Sequence, residues 1–201
     1  TNRVQVKQED GTTRWMTLPL QGHRLGQLIN EVQLKPNSEW TSKHMDMLRK
    51  SFLNAPFKKD ALELADSVLN GSHTDLYSVS RASLMALCDY FNLIEGRSFI
   101  DSSSLTLDGA SSERVLDIVV SNEGNKYISG HGALKYLDHE LFERANIEVL
   151  YMDYKCTPYG QGHGIFTPYV TGLDLVAYAG KGGIEFIESQ AVNWRNFQKS
   201  Q

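Results

Sequence analysis

Apolar and polar residues alternate along Arg3–Leu20, with VQVK on one side of EDGTT and RWMTLPL on the other. Alternation of period two marks a half-buried strand, and Asp-Gly between two such runs marks a tight hairpin. A β-hairpin is therefore expected here. Gln21–Arg24 reads as a loop, and LGQLINEVQL as a strand or a short helix, with a strand favoured around Ile29–Leu34. From Trp40 the period changes. Trp40, His44, Met47, Leu48 and Phe52 fall at helical spacing, so a helix should run to about Leu53, capped by Asn37 or Ser38 and halted before Pro56. A second helix, Lys58–Leu69, ends at Gly71. A third starts near Leu76 and sets Leu84, Leu87, Cys88 and Phe91 on one face. The stretch RSFIDSSS (97–104) reads as a short strand plus loop, and Ser111 or Ser112 caps a helix through Glu113–Val120.

Beyond it the pattern predicts a strand at Tyr127–Ile128, the turn SGHG (129–132), a helix over Leu134–Arg144 and a strand over Glu148–Tyr154. The loop YGQGHG (159–164) follows, then a helix over Gly172–Ala179. GKGG (180–183) reads as a helix end followed by a turn. The tail from Ile184 fits no single element. This order predicts an α/β or α+β fold: a small mixed sheet with an N-terminal hairpin, covered by several helices, as a single domain over residues 1–201.

Composition narrows the function. Hydrophobic residues make up 41% and charged residues 22%, enough apolar material for a sizeable core. Lys plus Arg number 20 against 24 Asp plus Glu, a net charge of -4. A general nucleic-acid binder needs a basic face, so that class is excluded, while a local basic pocket for one phosphate is not. Two cysteines, Cys88 and Cys156, make neither a disulfide framework nor a zinc site. No apolar run approaches the roughly 18 residues of a membrane span. No secretory signal is visible, so a cytoplasmic protein is the simplest expectation. The chain begins at Thr1 without a methionine.

Candidate chemistry gathers between Lys126 and Gly180. Seven of the nine tyrosines lie there: Tyr127, Tyr136, Tyr151, Tyr154, Tyr159, Tyr169 and Tyr178. A tyrosine offers a flat face and a hydroxyl to sugars, bases or acyl chains, although core packing also uses it. His131 and His163 each stand between glycines in a loop beside expected strand ends. Histidine is the side chain that titrates near neutral pH, so these two are the candidate bases; the plain alternative is a loop histidine bonded to backbone. Asp174, near the start of the next helix, could orient an imidazole or simply favour the helix dipole, and Asp153 is its rival. Tyr159 and Gln161 share a loop with His163, and Ser129 adjoins His131. Arg3, Lys43 and Lys135 could neutralise a phosphate. No phosphate loop, GxGxxG, GxSxG or HExxH pattern occurs, and His131, His139 and His163 lack a tight ligand spacing, so no metal is expected and no cofactor is assigned.

Several segments together resemble the WbqC-like family of bacterial proteins. The opening TNRVQVK with GTTRWMTLPL is similar to that family's Asn-Arg strand and Trp-leading strand ending in Pro. EWTSKHMDMLRKSFLNAP resembles its Trp-x-x-Lys-His helix, and YISGHGALKYLD its Tyr-x-Ser-Gly loop and Tyr-Leu pair. YGQGHGIFTPYVTGLDLVAYAG resembles its closing Tyr-x-Gln…Phe-x-Pro…Asp-Leu…Gly segment, with Thr171 in place of the usual serine. The family's customary Gln-Pro-rich aromatic opening and Asp-Asp strand have no counterpart here. The resemblance implies a place in O-antigen or other surface-polysaccharide biosynthesis. It implies acyl or aminoacyl transfer, glycyl for example, to an amino sugar carried on a nucleotide. A noncatalytic sugar- or nucleotide-binding protein is the alternative. On that reading His163 is the base and His131 the second candidate. Asp174 orients it, and Tyr159, Gln161, Ser129 and Tyr136 meet the sugar or the carbonyl. Arg3 and Lys43 meet a diphosphate. Self-association is left open, as is a third class, a cysteine hydrolase built on Cys88 or Cys156.

Overall fold

The computed structural model describes residues 2–36 and 40–199. The hairpin forms as expected. β1 (Arg3–Lys7) pairs antiparallel with β2 (Thr13–Thr17), Val4 opposite Met16 and Val6 opposite Arg14. Asp10 closes the turn by accepting from the Thr12 amide and hydroxyl, at 2.9 and 2.6 Å. The strand expected over Ile29–Leu34 is instead a 3-10 turn, Ile29–Glu31, followed by single bridges from Gln33 to Asp75 and from Leu34 to Leu20. Each of these residues finds one backbone partner on a different segment, so no ladder develops.

α1 (Thr41–Ser51) and α2 (Lys58–Leu69) stand where the periodicity put them. The caps proposed at Asn37 and Ser38 lie outside the described residues. α3 (Leu76–Tyr90) starts on Asp75, whose carboxylate accepts from the Ser78 amide at 2.8 Å. Its buried face matches the expected one only in part: Phe91, at its end, is buried and Leu87 and Cys88 are half-buried. Leu76 and Val79, with Ala82 and Ala86 behind them, pack against Val32, Leu34 and Val68, whereas Leu84 is 54% exposed. The apolar stripe is broader than one helix face, and the neighbours decide which part of it is buried. Asp75→Ala should lower unfolding free energy by about 1 kcal/mol, measurable by chemical denaturation.

No strand forms over 97–104; that stretch holds a 3-10 turn, Ser102–Ser104. α4 covers Ser111–Ser121 and β3 covers Lys126–Ser129. The helix expected over Leu134–Arg144 is split into a 3-10 turn, His131–Lys135, and α5 (His139–Arg144). Asp138 is the reason. Its carboxylate accepts from the Leu141 amide at 3.0 Å and fixes the helix start five residues late. β4 (Glu148–Asp153) and α6 (Gly172–Ala179) follow. The tail resolves into a 3-10 turn (Gly180–Gly183), α7 (Ile184–Ile187), β5 (Gln190–Asn193) and α8 (Trp194–Lys199).

These elements divide into two compact units, each with its own core. The first comprises the chain to Arg97 together with Cys156–Phe186. In it α6 packs on α2, and Leu175, Val176 and Ala177 are buried. The Phe57 amide donates to the Ala177 carbonyl at 2.9 Å. The second comprises Ser98–Lys155 and the stretch from Ile187. Its sheet has the order β3-β4-β5, parallel between β3 and β4 and antiparallel between β4 and β5. Phe142, Ile147, Val149, Tyr151 and Phe197 form its core. The architecture is thus the mixed one expected, a hairpin and a small mixed sheet with helices. Among the described residues no helix is long and apolar enough to cross a membrane.

Candidate functional site

The loop that leads from Cys156 to α6 is tied to the first strand by a buried amine. Lys7 is 2% exposed, and its Nζ donates to Gln161 Oε1 at 2.9 Å and to the Ile165 carbonyl at 2.8 Å. A lysine is seldom buried without partners, because leaving water costs its charge several kcal/mol. Here the loop supplies the acceptors. Gln161 is itself buried and fully engaged: Oε1 also accepts from the Thr167 amide at 3.0 Å, and Nε2 donates to the Thr167 carbonyl at 2.8 Å and to Tyr159 Oη at 3.3 Å. Tyr159 passes the chain on, donating to Asp174 Oδ1 at 2.8 Å. The loop thus encloses a polar line running Lys7, Gln161, Tyr159, Asp174.

The far end of that line is held by α6. Thr171 caps the helix through its hydroxyl, and its amide donates to the Gln5 carbonyl at 2.8 Å, which fastens the helix start to β1. Asp174 stands in the first helical turn, where the dipole favours an anion. It is 1% exposed, and Oδ2 is buried without a hydrogen-bond partner among the described residues. Burial raises its pKa above the ordinary 3.8. The Tyr159 hydroxyl, the Lys7 charge and the Gln161 amide oppose that shift without cancelling it. Tyr178 is raised too, by its own burial first and then by the nearby charges of Asp174 and Glu9.

His163 belongs to the same loop. Its amide donates to the Gln161 carbonyl at 2.8 Å, a three-residue turn made possible by Gly162 at φ +72°. Its Nε2 is buried and has no partner among the described residues. A Cβ at Gly162 would come within 2.6 Å of the Tyr178 ring, so ring and positive φ both demand glycine. Gly162→Ala should therefore cost about 1–3 kcal/mol of stability and displace His163, seen as a lowered melting temperature and shifted imidazole resonances. Next along, Gly164 lies against Gly11: a Cβ there would sit 3.2 Å from the Gly11 Cα, so the loop rests directly on the hairpin turn.

The remaining candidates are placed elsewhere. Arg3 lays its guanidinium 4.3 Å from the centroid of the Trp15 ring, and Lys43 is exposed on α1. His131, Ser129 and Tyr136 belong to the second unit, whereas His163 belongs to the first. His131 Nε2 lies 2.6 Å from the Met152 carbonyl, to which it donates, and its ring packs on Phe197. Ser129 Oγ accepts from Tyr127 Oη at 3.4 Å, and Tyr136 is 64% exposed. His139 packs flat on Trp194 and bonds Tyr151 Oη at 2.8 Å; burial lowers its pKa, against a smaller opposing effect of Asp138. Asp174 serves Tyr159 rather than an imidazole, a change from the expected pairing. Its rival Asp153 pairs with Lys155 at the end of β4. Cys88 and Cys156 are free and half-buried. Among the described residues no three His, Cys, Asp or Glu side chains stand close enough to share a metal ion.

Lys7 is the member of the site that the pattern concealed. In VQVK it occupies the polar side of an alternating strand, which reads as solvent-facing. Its only signal was its place inside the segment that resembles a known family.

The sequence pattern of the WbqC-like protein family matches residues 1–186. An uncharacterized protein of Mycobacterium tuberculosis is 29% identical over 189 residues, covering 92% of this chain and 80% of the relative. No solved structure matches the chain.

Proposed function

The chain belongs to the WbqC-like protein family, and we propose that it transfers an acyl or aminoacyl group, glycyl for example, to the amine of a nucleotide-linked amino sugar in surface-polysaccharide biosynthesis. The observation that carries this reading is the buried, unpartnered Nε2 of His163, in the loop built on Lys7, Gln161, Tyr159 and Asp174. An amine attacking a carbonyl carbon must shed a proton. His163 takes that proton as the C–N bond forms, and returns it to the leaving group as the donor's acyl bond breaks. His131 is the second candidate for the base. Backbone amides of the glycine-rich loop would face the developing oxyanion. Tyr159 and Gln161 spend their polar atoms on each other, Asp174, Lys7 and Thr167. They act as positioning residues that keep the His163 loop in one shape.

The second reading is a sugar- or nucleotide-binding protein without turnover. One experiment separates the two. The purified protein is incubated with amino-sugar nucleotides and acyl or aminoacyl donors, and products are followed by mass. A product heavier by the acyl group, reduced about 10²–10⁴-fold by His163→Ala, supports transfer by this base. Full rate in His163→Ala removes His163 from the role. Saturable binding in calorimetry with no product across the donors supports the second reading.

A further inference from the structure

The first unit also contains a cavity of about 440 Å³ that the polar line does not use. Its walls come from the hairpin, α1, α2, α3 and the start of α6. Val4 and Met16 line it from the hairpin, Leu64 and Val68 from α2, and Val79 and Leu87 from α3. Several of these side chains stop short of close packing: Val4 is 39% exposed, and Met16, Leu64 and Leu87 are only half-buried. Aliphatic walls held apart keep apolar surface in contact with water, and a ligand that fills the gap removes it. The volume falls within the range of small-molecule sites.

The walls also set the charge of what can enter. No aspartate, glutamate or lysine lines the cavity. Arg3 is the one charged residue on the wall, and its guanidinium lies 4.3 Å from the centroid of the Trp15 ring. Strand alternation puts Arg3 and Trp15 on the hairpin face opposite Val4 and Met16, so that cation points away from the cavity. His44 lines the cavity and is 8% exposed. Burial lowers its pKa below the usual 6.5, against a smaller opposing effect of a bond to the Thr17 backbone, so the imidazole is uncharged at neutral pH. An ion of either sign would lose its hydration here without gaining a counter-charge. A single hydroxyl would not be stranded in that way, because the wall carries neutral hydrogen-bonding groups in Ser80, Thr171 and His44.

We propose that this cavity binds an uncharged, mainly aliphatic molecule, enclosed among Val4, Leu64, Val68, Val79 and Leu87. The site does not depend on the transfer reaction proposed above. Octanol is the probe, with octanoate and octylammonium as its charged counterparts of equal chain length. Calorimetry and amide-shift mapping on the intact protein at neutral pH should show saturable octanol binding, with the largest shifts in the cavity walls. Octanoate and octylammonium should each bind about tenfold more weakly, or worse. Ala86→Phe, at a half-buried wall position on α3, should fill part of the cavity and weaken octanol about tenfold or more. Ser83→Phe, at an exposed wall position that spares the fold, is the second filling variant and should weaken octanol in the same direction. Circular dichroism confirms the fold of each. Absence of saturable octanol binding, or octanol binding unmoved by both variants in folded protein, would overturn the proposal. Octanoate or octylammonium held as tightly as octanol would overturn the uncharged class.

Discussion

Lys7→Met is expected to lower the unfolding free energy by about 2–4 kcal/mol, although methionine matches lysine closely in volume and is far easier to bury. The reason lies in what the amine leaves behind. Nζ donates to Gln161 Oε1 and to the Ile165 carbonyl, and its charge is one of the influences holding down the pKa of Asp174. Without it Gln161 keeps the Thr167 amide, the Ile165 carbonyl loses its amine donor, and the Asp174 carboxylate faces a buried site with less compensation. Removing one member of a buried polar group costs more than the group contributes as a whole. The double variant Lys7→Met with Asp174→Asn should therefore recover part of the loss, a coupling readable in a denaturation cycle. If the single and double losses simply add, Lys7 and Asp174 do not act as one unit.

Some of this fold was written locally and some was not. α2 was legible to the residue, because an apolar stripe is bounded by Pro56 on one side and Asn70-Gly71 on the other. The hairpin was legible for the same reason: its turn is encoded in Asp10-Gly11. β5 was not, since Gln190–Asn193 becomes a strand only by pairing with Leu150–Asp153, some forty residues earlier in the chain. Asp138 carried a local signal, an N-cap just before a helix, that helical periodicity from Leu134 outweighed in the reading. At the site, Tyr159, Gln161, His163 and Asp174 were found because one stretch holds them all. Lys7 was missed because its partners lie 154 and 158 residues away, and nothing in VQVK says that the end of that strand is covered on both faces. Side chains whose role depends on a distant acceptor are invisible to period and spacing.

Asp174→Asn should separate stability from activity. An asparagine keeps an oxygen for the Tyr159 hydroxyl and removes the buried charge, so at neutral pH the variant should be at least as stable as the parent. The sign with pH follows from burial. The folded state holds the Asp174 proton more tightly than the unfolded chain, because burial raises its pKa above 3.8. Its contribution to stability is then fully present below about 3.8 and is lost as pH rises through the higher folded value. Asparagine has no such dependence. Parent minus variant stability should therefore move in favour of the parent as pH falls from neutral toward 3.8, and denaturation midpoints of the two proteins across that window would show it. A difference that moved the other way would mean the carboxylate is better stabilised when ionised than its surroundings suggest. In the transfer assay the same variant should lose turnover by on the order of 10²-fold, the cost of a small misplacement of the reacting groups, with a smaller change in KM. On the proposed reading the neutral amide accepts the Tyr159 hydroxyl more weakly than the carboxylate does and so loosens the loop that carries His163; the loss is one of positioning, in a protein no less folded than before. A carboxylate that destabilises its own fold at working pH and yet is needed for rate is what a site element looks like; if Asp174→Asn were more stable and equally active, the polar line would be a structural clasp and nothing more.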